Sequence, residues 1–389
     1  MKHSVIIIGK ADVIKLGLIR SLGDAGCRIV VIQLMNVRPR LKPLDYYSRY
    51  VDAYHFAKPD DVVKCLIEKC TEQGQRPIVF ALDDQSVSLI DSAYDRLSPH
   101  FTLPNVDQRQ GGIVAMMNKM KQKRLAQQAG LNVPKGWEIP FVNGEYLIPS
   151  DIEFPCFVKG LYSYINTKGI QSKCNDEQEL KSCLERCKAE AKCSILAEEY
   201  ISIDKELCFM AINHKDKHLV PAMLDKKEDG RGCVRGVTMA AELIPFDENS
   251  PYYQPIQRLL ASFNYTGINN ADFILSCDQL YFVEVNFRYA AYGYAITRAG
   301  VNLPAIFVNC LFNENHDDFP KTLQTRKSFI NEKIGLMNVL EGYMTYSQYR
   351  TIKHKTDFGI VASKNDPKPY RHFLTRFIFK YIKSKMRKK

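Results

Sequence analysis

Two kinds of periodicity alternate along the first hundred residues. Residues 4–8 are a short apolar run, residues 12–25 repeat their apolar positions at helical spacing up to Gly26, and residues 29–32 are apolar again. A buried strand, a crossover helix and a second buried strand are the predicted result. Pro59 and Asp60 then open a helix reaching about residue 72. Residues 77–82 form another apolar strand, with Asp83 and Asp84 at its carboxyl end ahead of a helix from Gln85. Parallel strands joined by helices predict a Rossmann-like α/β unit over residues 1–113. Of the glycine fingerprint of a dinucleotide site only Gly9 is in place, which argues against a nicotinamide cofactor. Asp83 and Asp84 have two readings, as contacts to a ligand at the strand end or as caps of the next helix.

The middle of the chain changes character to α+β. Asn118 is a good helix N-cap and Gly130 a good stop, so one compact helix is predicted between them, with Leu125 and Ala129 on its apolar face. Lys119 falls in the first turn, where a cation opposes the helix dipole, a placement that suits a phosphate as well as solvent. An apolar strand from 154 ends on Lys159 and runs into a loop of small and aromatic residues. A helix from Asp176 to about residue 192 leads to a strand ending in Glu198-Glu199-Tyr200-Ile201, and a polar link then reaches Glu206. Residues 272–275 and 280–288 are two apolar runs bracketing a four-residue turn, the signature of a β-hairpin. Every second position of the outgoing strand is polar, which puts Glu284, Asn286 and Arg288 on one face, and the hairpin returns Asp272 beside Glu284. Two carboxylates and an amide oxygen suit Mg²⁺, which keeps several waters and is usually held by one or two carboxylates plus substrate phosphates. A solvated polar sheet face is the alternative.

Composition narrows the class. With 389 residues and 46% hydrophobic content, the chain can build two or three packed domains. No apolar run approaches the ~18 residues of a membrane span, and the first apolar run is too short for an export signal. The 12 cysteines are scattered without metal-ligand spacing, which fits reduced thiols in a cytosol; Cys183 and Cys187, one helical turn apart, read as small buried side chains. The net charge of +11 is unevenly placed, because residues 321–389 hold 17 basic against 4 acidic residues. The basic excess therefore belongs to the tail, and no nucleic-acid groove is expected in the main body.

Lys119 in a helix before a Gly-Leu-x-Val-Pro segment, Lys159 at a strand end, the Glu198–Ile201 stretch with Glu206 downstream, then Asp272 and Glu284-x-Asn286-x-Arg288, resemble in this order the ATP-grasp superfamily. Ser48-Arg49-Tyr50, Asp83-Asp84, the 299–304 segment and the 365–369 segment look like the carboligase branch related to carbamoyl-phosphate synthetase large chains, which includes D-aspartate ligases of cell-wall assembly. The resemblance implies a pre-ATP-grasp domain followed by a two-lobed ATP-grasp domain over residues 114–315, with a lid lobe at about 150–210. It implies that Lys119 and Lys159 bind ATP phosphates, that Glu198, Glu199 and Ile201 line the adenine pocket, and that Glu206 meets the ribose. Asp272, Glu284 and Asn286 would hold Mg²⁺, and Arg288 would steady acyl-phosphate oxygens. Two departures stand out: Gly160 replaces a usual proline, and the loop to Gly169 is poor in glycine, which leaves the parts of Ser163 and Lys168 undefined. Lys226, Arg231, Arg235 and Arg298 are further candidates for acceptor or phosphate contacts.

The expected chemistry is that of an ATP-dependent carboxylate–amine ligase. The γ-phosphoryl group is moved onto a carboxylate, and an amine then displaces phosphate, the two lysines and Mg²⁺ stabilising the transferring charge. Catalytic weight falls on Arg288 and Lys159, and the partners are a small-molecule carboxylate and an amine acceptor, an amino acid and a cell-envelope precursor being one pairing. A bicarbonate-using enzyme and a non-catalytic ATP-binding module are the alternatives, and a homo-oligomer is compatible with the sequence. Residues 316–389 read as a basic extension whose last part is an amphipathic helix. Tyr370, Phe373, Leu374, Phe377, Ile378, Tyr381 and Ile382 recur at helical spacing, and residues 370–389 hold eight basic and no acidic side chains. The chain is expected in the cytoplasm, where such a helix either lies on the inner face of an anionic membrane or docks its stripe on the protein's own core.

Overall fold

The computed structural model describes residues 3–10, 12–37, 41–142, 144–164, 171–188, 194–232, 237–312 and 321–386. The N-terminal strands form a four-stranded parallel sheet in the order Ala53–Ala57, Arg28–Leu34, Ser4–Gly9, Ile78–Ala81. Ser4–Gly9 is buried along its whole length, as a parallel strand covered on both faces must be. Its alternate residues enter two different cores. Ile6 and Ile8 join one and Val5 and Ile7 the other, and both cores continue into the rest of the molecule. This is the Rossmann-like unit expected from the opening periodicity.

Two lobes follow. The smaller is an antiparallel sheet ordered Ser172–Cys174, Cys156–Gly160, Ile195–Glu199, Gly136–Ile139. This sheet draws in the strand Gly136–Ile139, ahead of the residues that the resemblance implies for a lid lobe. The helix Glu177–Lys188 covers it through Leu180, Cys183, Leu184 and Cys187. Those two cysteines are core residues with free thiols.

The larger lobe is a nine-stranded sheet. Its main path runs Gln279–Asn286, Tyr265–Ser276, Lys205–His214, Ala222–Asp229, Thr238–Pro245, Lys327–Ile330 and Phe358–Gly359. The last two strands come from the region expected as a tail extension, so that region builds part of the central sheet. Its basic helix, Lys368–Met386, turns Tyr370, Phe373, Leu374, Phe377 and Tyr381 onto a small core with Leu44, Ile330, Leu336 and Tyr349. Ile378 and Ile382, expected on the same stripe, are exposed instead. The Asn365-Asp366-Pro367 segment does more than lead into the helix. Asp366 is buried, and its carboxylate accepts from Arg20 Nε at 3.0 Å, Ser48 Oγ at 2.9 Å and the Arg49 amide at 3.0 Å. Two of the motifs that carried the family resemblance, far apart in sequence, are thus the two halves of one contact.

Candidate active site

The hairpin is the floor of the site. Cys277 and Asp278 both have left-handed backbone angles, φ 46° and 60°, as a two-residue hairpin turn of type I′ requires. Strict alternation from Leu280 and Phe282, both in the core, would have buried Glu284 beside them. The register slips once between Asp272 and Phe273, so that Phe273 faces Phe282, Asp272 faces Glu284, and Val283 has no partner. That bulge lets Leu280, Phe282, Val285 and Phe287 share one core while Glu284, Asn286 and Arg288 point into the cleft.

Asp272 and Glu284 sit directly across the strand pair, and the Asn286 amide bridges them, donating to Asp272 Oδ2 at 3.0 Å and Glu284 Oε1 at 3.3 Å. Asn270 donates to the other Asp272 oxygen at 3.0 Å and itself accepts from Tyr292 OH at 2.5 Å. Burial and the neighbouring Glu284 charge push the Asp272 carboxyl above its usual range. Burial acts in the same direction on Glu284, but the Lys119 and Lys159 ammonium groups and the Asn286 amide outweigh it and hold Glu284 at about 2. Glu284 keeps 24% of its side chain exposed, so the cleft is open to solvent on one side.

The helix Lys119–Gln128 starts as expected, with the Asn118 side chain accepting from the Lys121 amide at 2.9 Å. Its buried face holds Lys119, Gln122, Lys123 and Ala126, and three of these four are polar. Lys119 Nζ lies 3.3 Å from Glu284 Oε2 and donates to Ser163 Oγ at 3.1 Å. Gln122 donates to the Val285 carbonyl at 3.0 Å and accepts from the Val285 amide at 2.8 Å, pinning the strand between Glu284 and Asn286 to the helix. The sequence reading missed Gln122 and Lys123. Their signal was available as i, i+3 and i+4 spacing from Lys119, but it was masked by the expectation of an apolar inner face.

Lys159, at the end of its strand, reaches Glu198 Oε2 at 2.6 Å, and Lys123 reaches Glu198 Oε1 at 2.6 Å. Burial pulls the Lys123 ammonium down to about 8, with Lys159 adding to the effect against the pull of Glu198. Burial raises the Glu198 carboxyl, yet the two lysines leave it below its usual range. Glu198, expected along an adenine pocket, stands between these two cations. Glu199 is exposed at the strand end and accepts from the Lys135 amide at 3.3 Å, and Ile201 is half-buried in the link beyond. Glu206 pairs with Lys226 across the sheet at 2.5 Å.

Arg288 completes the floor. Its Nε donates to Asp84 Oδ1 at 2.8 Å and Nη2 lies 3.4 Å from Asn286 Oδ1. Burial alone would lower the Arg288 pKa, but the Asp84 carboxylate raises it. Asp83 and Asp84 thus divide the two readings between them: Asp83 caps the helix through Ser86, and Asp84 reaches the site. Arg298 turns away to the Gly359 carbonyl, and the Arg231 amide donates to Asn338 Oδ1 at 2.8 Å. Lys168 and Arg235 lie outside the described residues. Lys119, Lys159, Glu198, Asp272, Glu284, Asn286 and Arg288 come together in one network, whereas Glu199 and Ile201 stand at its rim. The donor set fits a magnesium ion, since a cation would relieve the repulsion by which Glu284 raises the facing Asp272 carboxyl. Among the described residues no group of three His, Cys, Asp or Glu could hold a metal ion, so such an ion would draw its remaining ligands from water and substrate.

Residues 124–299 match the family model of the ATP-grasp domain. We find no match to the chain among curated proteins. Solved structures share the fold. N5-carboxyaminoimidazole synthetase from Staphylococcus aureus, complexed with ADP, is 16% identical over 88% of this chain and 86% of that chain, with a TM-score of 0.64. L-amino acid ligase from Bacillus licheniformis is 15% identical over 84% and 80%, with a TM-score of 0.60. The biotin carboxylase domain of 2-oxoglutarate carboxylase from Hydrogenobacter thermophilus, complexed with MgADP and bicarbonate, is 16% identical over 84% and 74%, with a TM-score of 0.62.

Proposed function

From the ATP-grasp domain that residues 124–299 carry, we propose that the protein is an ATP-dependent ligase that activates a carboxylate as an acyl phosphate and joins it to an amine. The carboxylate oxygen attacks the γ-phosphorus and ADP leaves; the amine nitrogen then attacks the acyl carbon and inorganic phosphate leaves with the bonding pair. Lys119 and Lys159 would meet the phosphates, exchanging Glu284 and Glu198 for them, while Lys123 keeps Glu198 oriented. The strand end at Glu198, Glu199 and Ile201 would take the adenine, and Glu206 the ribose. Asp272, Glu284 and Asn286 would hold Mg²⁺, which supplies charge neutralisation at the β- and γ-phosphates when bound. Arg288, oriented by Asp84, would steady the acyl-phosphate oxygens, and no protein nucleophile is needed.

The observation that carries this reading is the 3.3 Å approach of the Lys119 ammonium to Glu284, from elements 165 positions apart in the chain. An amino acid as carboxylate and an envelope precursor as amine are the substrate pair we favour. The test is ADP release screened over amino acids, bicarbonate and amine acceptors. We expect release that needs both a carboxylate and an amine, and a loss of about 10²-fold or more in Glu284→Gln. Release with bicarbonate alone would mark a carboxylating enzyme, and ATP binding without turnover across the panel would mark a binding module.

A further inference from the structure

The helix Lys368–Met386 is only half used by the fold. Its inner face meets the small core at Leu44 and Tyr349. The opposite face presents Ile378, Phe379 and Ile382, all at least half exposed, with Phe379 at 69%. Exposed large apolar side chains clustered on one helix face are unusual unless something covers them. The described charged side chains of residues 370–382 have one sign, being Arg371, Arg376 and Lys380.

A second segment lies alongside. Arg376 donates to the Lys42 carbonyl at 2.9 Å, and His372 stacks on Tyr47 with ring centroids 3.7 Å apart. Next to Lys42, Leu41 is 63% exposed. Two stretches remote in sequence, Leu41-Lys42 and the helix, each exposing an apolar side chain near a basic residue, are thus placed side by side by the fold.

We infer that this face docks on an anionic lipid surface, Ile378, Phe379, Ile382 and Leu41 entering the acyl boundary and the Lys and Arg side chains meeting lipid phosphates. The combination identifies the occupant. A second copy related by a two-fold axis would bring the same basic patch against itself. Nucleic acid would satisfy the cations and leave the aliphatic side chains without an apolar partner. An anionic bilayer supplies both chemistries, each basic group adding favourable energy near its surface. Attachment would be peripheral, since no helix among the described residues is long and apolar enough to cross a membrane.

The test uses the full chain and extruded vesicles of phosphatidylcholine, with and without phosphatidylglycerol, in a sedimentation assay. We expect the protein to pellet with the phosphatidylglycerol vesicles and not with phosphatidylcholine alone, and to be released as salt rises. The double variant Phe379→Asp, Ile382→Asp should lose about tenfold or more of this binding, and Lys380→Glu should weaken it. All three positions are exposed, so unchanged thermal unfolding should confirm intact folding. The inference is overturned if wild type stays in the supernatant with both vesicles, or if the folded double variant pellets like wild type. It is equally overturned if light scattering shows a dimer that the double variant dissolves while vesicles bind neither protein. None of these readouts requires turnover, so they stand apart from the ligase assay.

Discussion

Asp272 and Glu284 face each other across one strand pair and titrate in opposite directions. For Asp272, burial and the Glu284 charge raise the folded value. Its ionisation therefore weakens the fold, and stability falls as pH rises from the unfolded value through the raised folded one. For Glu284, burial is outweighed by Lys119 and Lys159, which hold it at about 2. Its contribution is complete above the ordinary glutamate range and disappears as pH falls toward about 2. At pH 7, Glu284→Gln should destabilise the protein by about 2–3 kcal/mol, and Asp272→Asn should stabilise it. Urea unfolding of the two variants reads the signs, and the opposite order would refute this account. Both variants should lose magnesium-dependent turnover, which separates the stability of the empty cleft from its use. The conflict fits the proposed role, because a site built for stability alone gains nothing from burying the Asp272 carboxyl against Glu284.

At the scale of elements, the helix Lys119–Gln128 and the hairpin act as one unit. Gln122 behaves like an extra strand residue, satisfying both the amide and the carbonyl of Val285. Gln122→Leu should leave both backbone groups buried without partners and cost about 1–3 kcal/mol in denaturant unfolding. The same change should depress ADP release, because the strand carrying Glu284 and Asn286 loses its anchor against Lys119. Activity at wild-type level in this variant would show that the bulge at Val283 alone sets the floor. Local signals had already placed both elements, through the Asn118 cap, the turn at Cys277-Asp278 and the polar alternation beyond. They could not reveal that the helix buries a polar face, since burial of Lys119 and Lys123 depends on carboxylates contributed by other strands.

At the scale of the molecule, the chain's end is tied to its beginning. Arg20, fully buried, bonds the Asp366 carboxylate, the Asp366 carbonyl at 2.9 Å and the Val361 carbonyl at 2.9 Å. Removing the carboxylate leaves an uncompensated guanidinium in the core. Asp366→Ala should therefore cost about 3–5 kcal/mol, read as a fall in the midpoint of thermal or urea unfolding of the whole chain. A change under about 1 kcal/mol would mean that the two carbonyls suffice for Arg20. The same tie seats the helix Lys368–Met386 against Leu44, with Arg376 bonded to the Lys42 carbonyl and the exposed Leu41 next to it. A structural contact at one end of the molecule thus creates the surface assigned to lipid.

Repeats of 2.0 and 3.6 residues are properties of a few consecutive positions, and these alone determined the parallel opening sheet, the capped helix at Lys119 and the shared face of Glu284, Asn286 and Arg288. Pairings between remote groups are not local, so only the folded chain decided that Glu198 lies between Lys123 and Lys159, that Asp84 rather than Asp83 reaches Arg288, and that Asp366 joins Ser48 at a separation of 318 positions. The final helix shows the boundary between the two. Its apolar spacing was legible, yet which of those side chains turn inward was settled by where Leu44 and Tyr349 came to rest.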